Sequence, residues 1–424
     1  MTFAMKTLLS INNYYYPRGG ADSLFLEENR LFQQYGWNVV PFAMQSNKNL
    51  SSPWSKYFVD EIEFGERYSL PAKLIRVPKV IYSFEARRKL ARLIDETRPD
   101  VCHVHNVYHH ISPSVLSLLK QRGIPVVLTL HDLKIACPAH SMLAHDGVCE
   151  RCRGGRLHNV VLHRCIKDSV TLSTIVMLEA YLHRLLRTYS NCVGRFAVPS
   201  RFYIDKLGDW GWPRSIFTHV PNFVDPDRYR PQYEAGKYFM YVGRLSREKG
   251  LTTLIHAAAL ARCRVLLAGT GPQLAELRAL TAKLGADVTF LGFLTGEPLH
   301  EAVRSARAVV LPSVCYENAP MTVLEAYALG KPVVGARIGG IPDLISEQET
   351  GVSFTSGDAA SLAAALRDFA ERADWTIEDM GRCARQLVEK QYTAELYRQR
   401  LISIYRELGV PLDGRELQLS SGSK

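Results

Sequence analysis

Glu317-Asn318-Ala319-Pro320-Met321-Thr322-Val323-Leu324-Glu325 is the stretch on which the reading of this chain turns. Two carboxylates stand eight positions apart with a proline between them. Proline opens a helix far more readily than it continues one, so Glu317 belongs to a loop and Glu325 to the helix that follows. The loop's N–H groups then form a helix start that attracts anions. Carboxylates on either side accept sugar and ribose hydroxyls. The plainer alternative is a capped helix with one buried glutamate.

Two further loops stand upstream of that stretch. Tyr238 to Val242 reads as a strand and runs into Gly243-Arg244-Leu245-Ser246-Arg247-Glu248-Lys249-Gly250. A guanidinium fork and an ammonium five positions apart on a glycine-flanked loop can converge on one diphosphate; otherwise they are two surface cations. Arg264 to Ala268, another strand, runs into Gly269-Thr270-Gly271-Pro272, where glycines admit a ligand to the backbone or merely make a turn. A helix over Leu251 to Ala261 and strands over Val288–Leu291, Ala308–Leu311 and Lys331–Gly335 complete a doubly wound unit.

The first half repeats the alternation. Strands are expected over Thr7–Ile11, Asn38–Ala43, Asp100–His105, Pro125–Leu130 and Arg195–Pro199, with a helix over Ser23–Tyr35 after the turn at Gly19-Gly20. Pro221 to Pro226 has two prolines and no helical period, so it reads as a linker. The expectation is an α/β chain of two facing Rossmann-like domains, residues 1–222 and 223–393. A final helix, about residues 394–410, is long enough to return to the first. Ligands of open α/β sheets bind beyond the strands' carboxyl ends, which puts the site in the cleft between the domains.

Composition supports a globular protein: 424 residues, 47% hydrophobic and 22% charged. The net charge of +10 lies entirely in residues 1–220, with 28 basic against 18 acidic side chains. That half therefore suits an anionic partner. From Lys73 to Arg98, eight basic residues interleave with Val80, Ile81, Phe84, Leu90, Leu93 and Ile94. This segment could rest on an anionic membrane surface, or its apolar residues could pack inward. The longest apolar run, Val170 to Leu182, is broken by Thr171, Ser173, Thr174 and Glu179, and Met1 to Ser10 lacks a signal-peptide layout. A soluble, cytoplasmic chain is expected.

Four of nine cysteines fall within 29 residues: Cys137, Cys149, Cys152 and Cys165. A Cys-x-x-Cys flanked by two more thiols suits a structural zinc, with free core thiols or a redox pair as alternatives. Asp225-Pro226-Asp227 sits in the linker and is not expected to bind metal. His103 and His105 alternate on a strand and are followed by His109 and His110, but they are not expected to bind metal. Zinc beside a basic half also suggests nucleic-acid binding. The aromatics, however, gather at Tyr14-Tyr15-Tyr16 beside the glycine turn and not in stacking motifs, so no nucleic-acid partner is expected.

Taken in order, Gly19-Gly20, Thr129-Leu130-His131-Asp132, Pro199-Ser200, Pro221 to Asp225, Gly243-Arg244 with Lys249-Gly250, Gly269-Thr270-Gly271 and Glu317 to Glu325 resemble a retaining glycosyltransferase of family 4, with the GT-B fold. The likeness spans nearly the whole chain. It implies that Arg244 and Lys249 hold a nucleotide diphosphate, Glu317 the donor sugar's hydroxyls and Glu325 the ribose. His131 would face the sugar, the histidine-rich strand end at His103 and His105 would line the cleft, and Gly20 would bring backbone N–H groups to the phosphate and acceptor. Gly19, Gly269, Gly271, Asn318, Ala319, Pro320 and Met321 would complete the donor site. The implied partners are a nucleotide diphosphate sugar and a glycan or lipid-linked glycan of a bacterial envelope pathway, with no cofactor for catalysis. A GT-B epimerase or phosphorylase is the nearest alternative.

Overall fold

In a computed structural model, residues 5–61, 78–144 and 147–412 are described. The apolar runs form two parallel sheets. The first holds β1 (Thr7–Ile11), β2 (Asn38–Phe42), β3 (Val101–Val104), β4 (Val126–Thr129), and, after a short hairpin of β5 (Leu143–Ala144) and β6 (Gly147–Val148), β7 (Arg195–Val198) and β8 (Phe217–His219). Its order is β2-β1-β3-β4-β7-β8. The second holds β9 (Phe239–Val242), β10 (Val265–Ala268), β11 (Val288–Gly292), β12 (Ala308–Leu311), β13 (Val333–Ala336) and β14 (Gly351–Phe354), in the order β11-β10-β9-β12-β13-β14. Pairing is parallel throughout both sheets. Every residue of β1, β3, β4, β10, β12 and β13 is buried. Helices cover both faces, which is why these strands read as continuous apolar runs. In each sheet the order reverses beside its first strand, and that is where a doubly wound sheet opens a crevice.

The helix expected from Ser23 begins at Gly20, so the glycine turn is itself the helix start. β8, with only three residues, and β14 were not read from the sequence. The helices Ala359–Glu371 and Asp374–Gln391 were likewise not anticipated. The helix Ala394–Glu407 returns to the first sheet, with Thr393 capping its start through Leu396 N–H. Tyr397, Leu401, Ile404 and Tyr405 are buried there against Leu8, Phe32, Trp37 and Val39.

The membrane reading of Lys73–Arg98 is corrected in part. Lys73 and Arg76 lie outside the described residues. Leu90, Leu93 and Ile94, on the helix Phe84–Thr97, are buried in the core of the first unit, as are Val80 and its neighbour Ile175 in a smaller cluster. The apolar face is therefore already occupied. Arg87 is tied to Ser114, Ser117 and Gln121, and Lys79 and Lys89 pair with Glu85 and Asp60. Phe84, Arg88 and Arg92 remain exposed. Among the described residues no helix is long and apolar enough to cross a membrane.

Candidate active site

At the carboxyl end of β9 the chain turns at Gly243, with φ at 153°. Gly243 N–H donates to the Ala268 carbonyl at 3.0 Å and Leu245 N–H to the Thr270 carbonyl at 2.9 Å, so the two glycine loops lie edge to edge. A Cβ on Gly269 would stand 1.9 Å from the Gly243 oxygen, and one on Gly271 2.2 Å from the Leu245 oxygen. What comes close to these two glycines is the neighbouring loop, which accounts for them without a ligand. Leu245 is fully buried and pins the loop. Arg244 stands exposed at its rim, and its guanidinium meets no acid among the described residues.

Lys249 Nζ lies 2.6 Å from Glu317 Oε1, which also accepts from Ser313 Oγ at 2.7 Å. Burial alone would lower the lysine pKa, but the charge and hydrogen bond of Glu317 outweigh it and hold the ammonium above its usual range. The structure thus joins two predicted residues 68 positions apart. Glu325, on the helix Met321–Ala328, lies away from this pair in a hollow with Tyr229, Thr295, Leu299 and Thr322. Its carboxyl has no partner among the described residues, and burial pushes its pKa up.

The loop between the two glutamates is clasped by the first domain. Asn318 Nδ2 donates to the Leu130 carbonyl at 2.7 Å, and Ser200 Oγ donates to Asn318 Oδ1 at 2.8 Å. Asn222 Nδ2 donates to the Ala319 carbonyl at 2.8 Å, and Tyr203 Oη to the Tyr316 carbonyl at 3.0 Å. Asn318's side chain and Ala319's carbonyl are therefore engaged between domains. Pro320 directly precedes the helix, as read. Met321 faces Gly20: a Cβ on Gly20 would sit 3.6 Å from Met321 Cγ, an ordinary contact, and neither Gly19 nor Gly20 has positive φ. The fold by itself therefore does not require glycine at 19 or 20.

His131 follows β4 and is half-buried. Its Nε2 lies 2.9 Å from His105 Nδ1. His103 and His105 do not line the cleft; both are fully buried around Glu28. Sequence reasoning missed Glu28. Its signal was a charge at helical spacing among Leu24, Phe25, Leu31 and Phe32. Asp225 caps a turn by accepting from Asp227 N–H and pairs with Arg228, a structural use for that acidic string.

The four cysteines line one small hollow, and none is disulfide-bonded. Cys137 sulfur accepts backbone N–H groups from Ala139 and Met142. Burial pushes the thiols of Cys137 and Cys152 up to about 11 and about 12. Among the described residues the ligand atoms within 4.8 Å of one another are those of Glu28, His103 and His105, so the sulfurs are gathered but not closed. Between the cysteines, Glu150 binds Lys206 at 2.7 Å and Tyr316 Oη at 3.0 Å, linking this loop to the donor side.

His105, His131 and His183 are all held below the usual histidine range, mainly by burial. The folded protein keeps them neutral where the unfolded chain would take up protons. Their stabilisation is present above pH ~6.5 and is lost as pH falls below it, by up to about 1.4 kcal/mol per unit for each. Melting temperature is expected to drop between pH 7.5 and 5.5. A flat profile would mean that these rings already reach solvent.

A family model described as "Glycosyltransferase Family 4" matches residues 18–228, and one described as "Glycosyl transferases group 1" matches residues 236–372. The D-inositol 3-phosphate glycosyltransferase of Arthrobacter sp. (strain FB24) is 34% identical over 329 residues, 74% of this chain and 73% of that protein. The chain belongs to glycosyltransferase family 4. The match of this family 4 chain to the sulfoquinovosyl transferase SQD2 of Arabidopsis thaliana is 37% identical but covers 36% of the chain and only 30% of that protein. Its fold is GT-B. Anabaena Alr3699/HepE, solved with UDP and glucose, superposes with a TM-score of 0.66 at 16% identity, covering 95% of this chain and all of that one.

Proposed function

We propose that this chain transfers a sugar from a nucleoside diphosphate donor to an acceptor hydroxyl, with retention of anomeric configuration. The observation that carries the reading is the Lys249–Glu317 pair, which joins the loop after β9 to the loop after β12 at the carboxyl end of the second sheet, with Arg244 exposed on the same loop as Lys249. Breaking a sugar–phosphate bond leaves negative charge on the diphosphate and positive charge on the anomeric carbon. Lys249, held by Glu317, is a preorganised cation for the first, and Arg244 on the same loop is a second. Glu317 accepts sugar hydroxyls while keeping Lys249 charged. Glu325, in its separate hollow, suits the ribose. The helix that starts at Gly20, against which Met321 lies, offers the backbone N–H groups of its first turn from the first domain. The acceptor attacks on the leaving-group face, and a diphosphate oxygen takes its proton. That a neighbour of this fold was solved with UDP and glucose supports a sugar nucleotide as donor.

The acceptor we propose is a glycan or lipid-linked glycan, in keeping with the basic first half. Arg88 and Arg92, still exposed, could meet an anionic membrane surface. The test is a screen of UDP, GDP and ADP sugars against such acceptors, with the product's anomeric configuration read by NMR. Inversion would overturn retention. Turnover of no sugar nucleotide, by transfer or hydrolysis, would overturn the donor assignment.

We also propose that catalysis uses no metal and that the cysteine hollow seats a structural zinc. Initial rates are then expected to persist in excess EDTA over short incubations, while protein purified without added metal carries about one zinc per chain, as a four-thiolate site implies. Activity lost at once to EDTA and restored by magnesium would overturn the first proposal. Metal-free protein with four reactive thiols would overturn the second. Slow zinc loss is distinguishable because it brings unfolding.

A further inference from the structure

Behind His131 lies a buried chain of acid and imidazole groups that the reaction proposed above does not use. Glu28 Oε2 accepts from Tyr397 Oη at 2.6 Å. Glu28 Oε1 lies 2.7 Å from His103 Nδ1 and 3.4 Å from His105 Nε2. His103 Nε2 meets Thr129 Oγ1 at 2.7 Å. His105 Nδ1 meets His131 Nε2 at 2.9 Å, with ring centroids 5.1 Å apart and planes 18° from parallel. That separation fits two nearly coplanar rings joined nitrogen to nitrogen. Glu28, His103 and His105 are fully buried, whereas His131 is only partly so.

The proton positions follow from donor and acceptor counting. Burial would raise the Glu28 pKa, but His103 and His105 outweigh it and hold the group ionised, so it can only accept. His105 must then carry its proton on Nε2, toward Glu28. Its Nδ1 is left as a lone pair, so the hydrogen between the two rings belongs to His131 Nε2. Neutral His131 therefore keeps a lone pair on Nδ1, a nitrogen with no hydrogen-bond partner among the described residues. A tautomer fixed from behind by a buried carboxylate is a device that decides whether an imidazole donates or accepts.

We infer that Glu28 is a positioning residue: acting through His105, it fixes His131 as a hydrogen-bond acceptor toward the cleft, where the partner is a hydroxyl of the donor sugar or of the acceptor. This assignment rests on the glycosyl-transfer reading for its ligand, though not for its tautomer. Tyr397 and Tyr405, on the helix Ala394–Glu407, brace Glu28 and His103 from the far side.

The test is nitrogen NMR of protein carrying 15N-labelled histidine at pH 7.5, with His131 assigned by the signal lost in His131→Gln. The native protein is expected to show His131 protonated on Nε2 and bare on Nδ1. In Glu28→Gln the amide can donate to His105 Nε2, so both rings invert and His131 moves its proton to Nδ1. With that inversion, kcat is expected to fall at least about tenfold, a wrong tautomer being costly at a reacting site. The donor KM should stay within about threefold, and Glu28→Asp should recover part of kcat. A native His131 protonated on Nδ1 overturns the inference without any variant. So does a folded Glu28→Gln protein in which the His131 tautomer is unchanged, or in which it inverts and kcat does not. A correct tautomer in a protein that transfers no sugar would fault the proposed reaction and leave the relay standing.

Discussion

Arg244→Ala and Lys249→Ala are each expected to lower kcat/KM for sugar transfer by about 10²–10³, equivalent to about 2.7–4 kcal/mol of transition-state stabilisation. Both cations act on charge that appears as the diphosphate departs, so the loss should fall on kcat as well as on donor binding. The two variants should differ in stability. Arg244 is exposed and meets no acid among the described residues, so its removal leaves the fold intact. Lys249 is paired with Glu317, whose side chain is 14% exposed, so its loss strands a nearly buried carboxylate with the Ser313 hydroxyl as its remaining partner among the described residues. Lys249→Ala should therefore also destabilise the second domain, and Lys249→Ala/Glu317→Gln should recover stability without activity. The comparison is steady-state kinetics beside urea unfolding. A folded Arg244→Ala enzyme with native kinetics would remove the donor assignment.

Gly269→Ala and Gly20→Ala should fail in opposite ways. At Gly269 the backbone has φ at +145°, and a Cβ would meet the Gly243 carbonyl oxygen at 1.9 Å. Strain and clash together are expected to cost about 3 kcal/mol or more, enough to lower the yield of folded protein. At Gly20 a methyl meets only Met321 at ordinary contact distance, in a helix where alanine is the better residue. Gly20→Ala should be as stable as the parent and still lose activity, because the methyl occupies space reserved for a ligand. Native activity in Gly20→Ala would show that no ligand comes that close; normal stability in Gly269→Ala would show that the two loops can part.

Most strands were legible because they are buried on both faces and announce themselves as apolar runs; β12 and the helix Leu251–Ala261 have the limits read from sequence. β8, with three residues, has too little pattern to stand out. At the site, spacing pointed to Arg244, Lys249 and Glu317 because each follows directly on a strand or precedes a helix. Spacing could not say that Glu317 would take Lys249 as its partner, since that contact depends on the packing of β9 against β12. The partner of Asn318 was hidden for a related reason: only the position of Leu130 in the other domain shows what its side-chain amide meets. Glu28 was hidden by its helix, where one acid on an apolar face usually goes unremarked.

The returning helix Ala394–Glu407 also sets an order of assembly. The polypeptide leaves the first sheet after β8, builds the whole second sheet, and only then delivers Tyr397, Leu401 and Tyr405 to the hydrophobic surface of Leu8, Trp37 and Val39. On the ribosome, the part translated first must wait with that surface bare until residue 407 has emerged, while the part translated later can close as soon as its own strands are out. A nascent chain arrested between the two events would present one finished unit and one adhesive, unfinished one, a form that chaperones recognise and that aggregates when they are scarce.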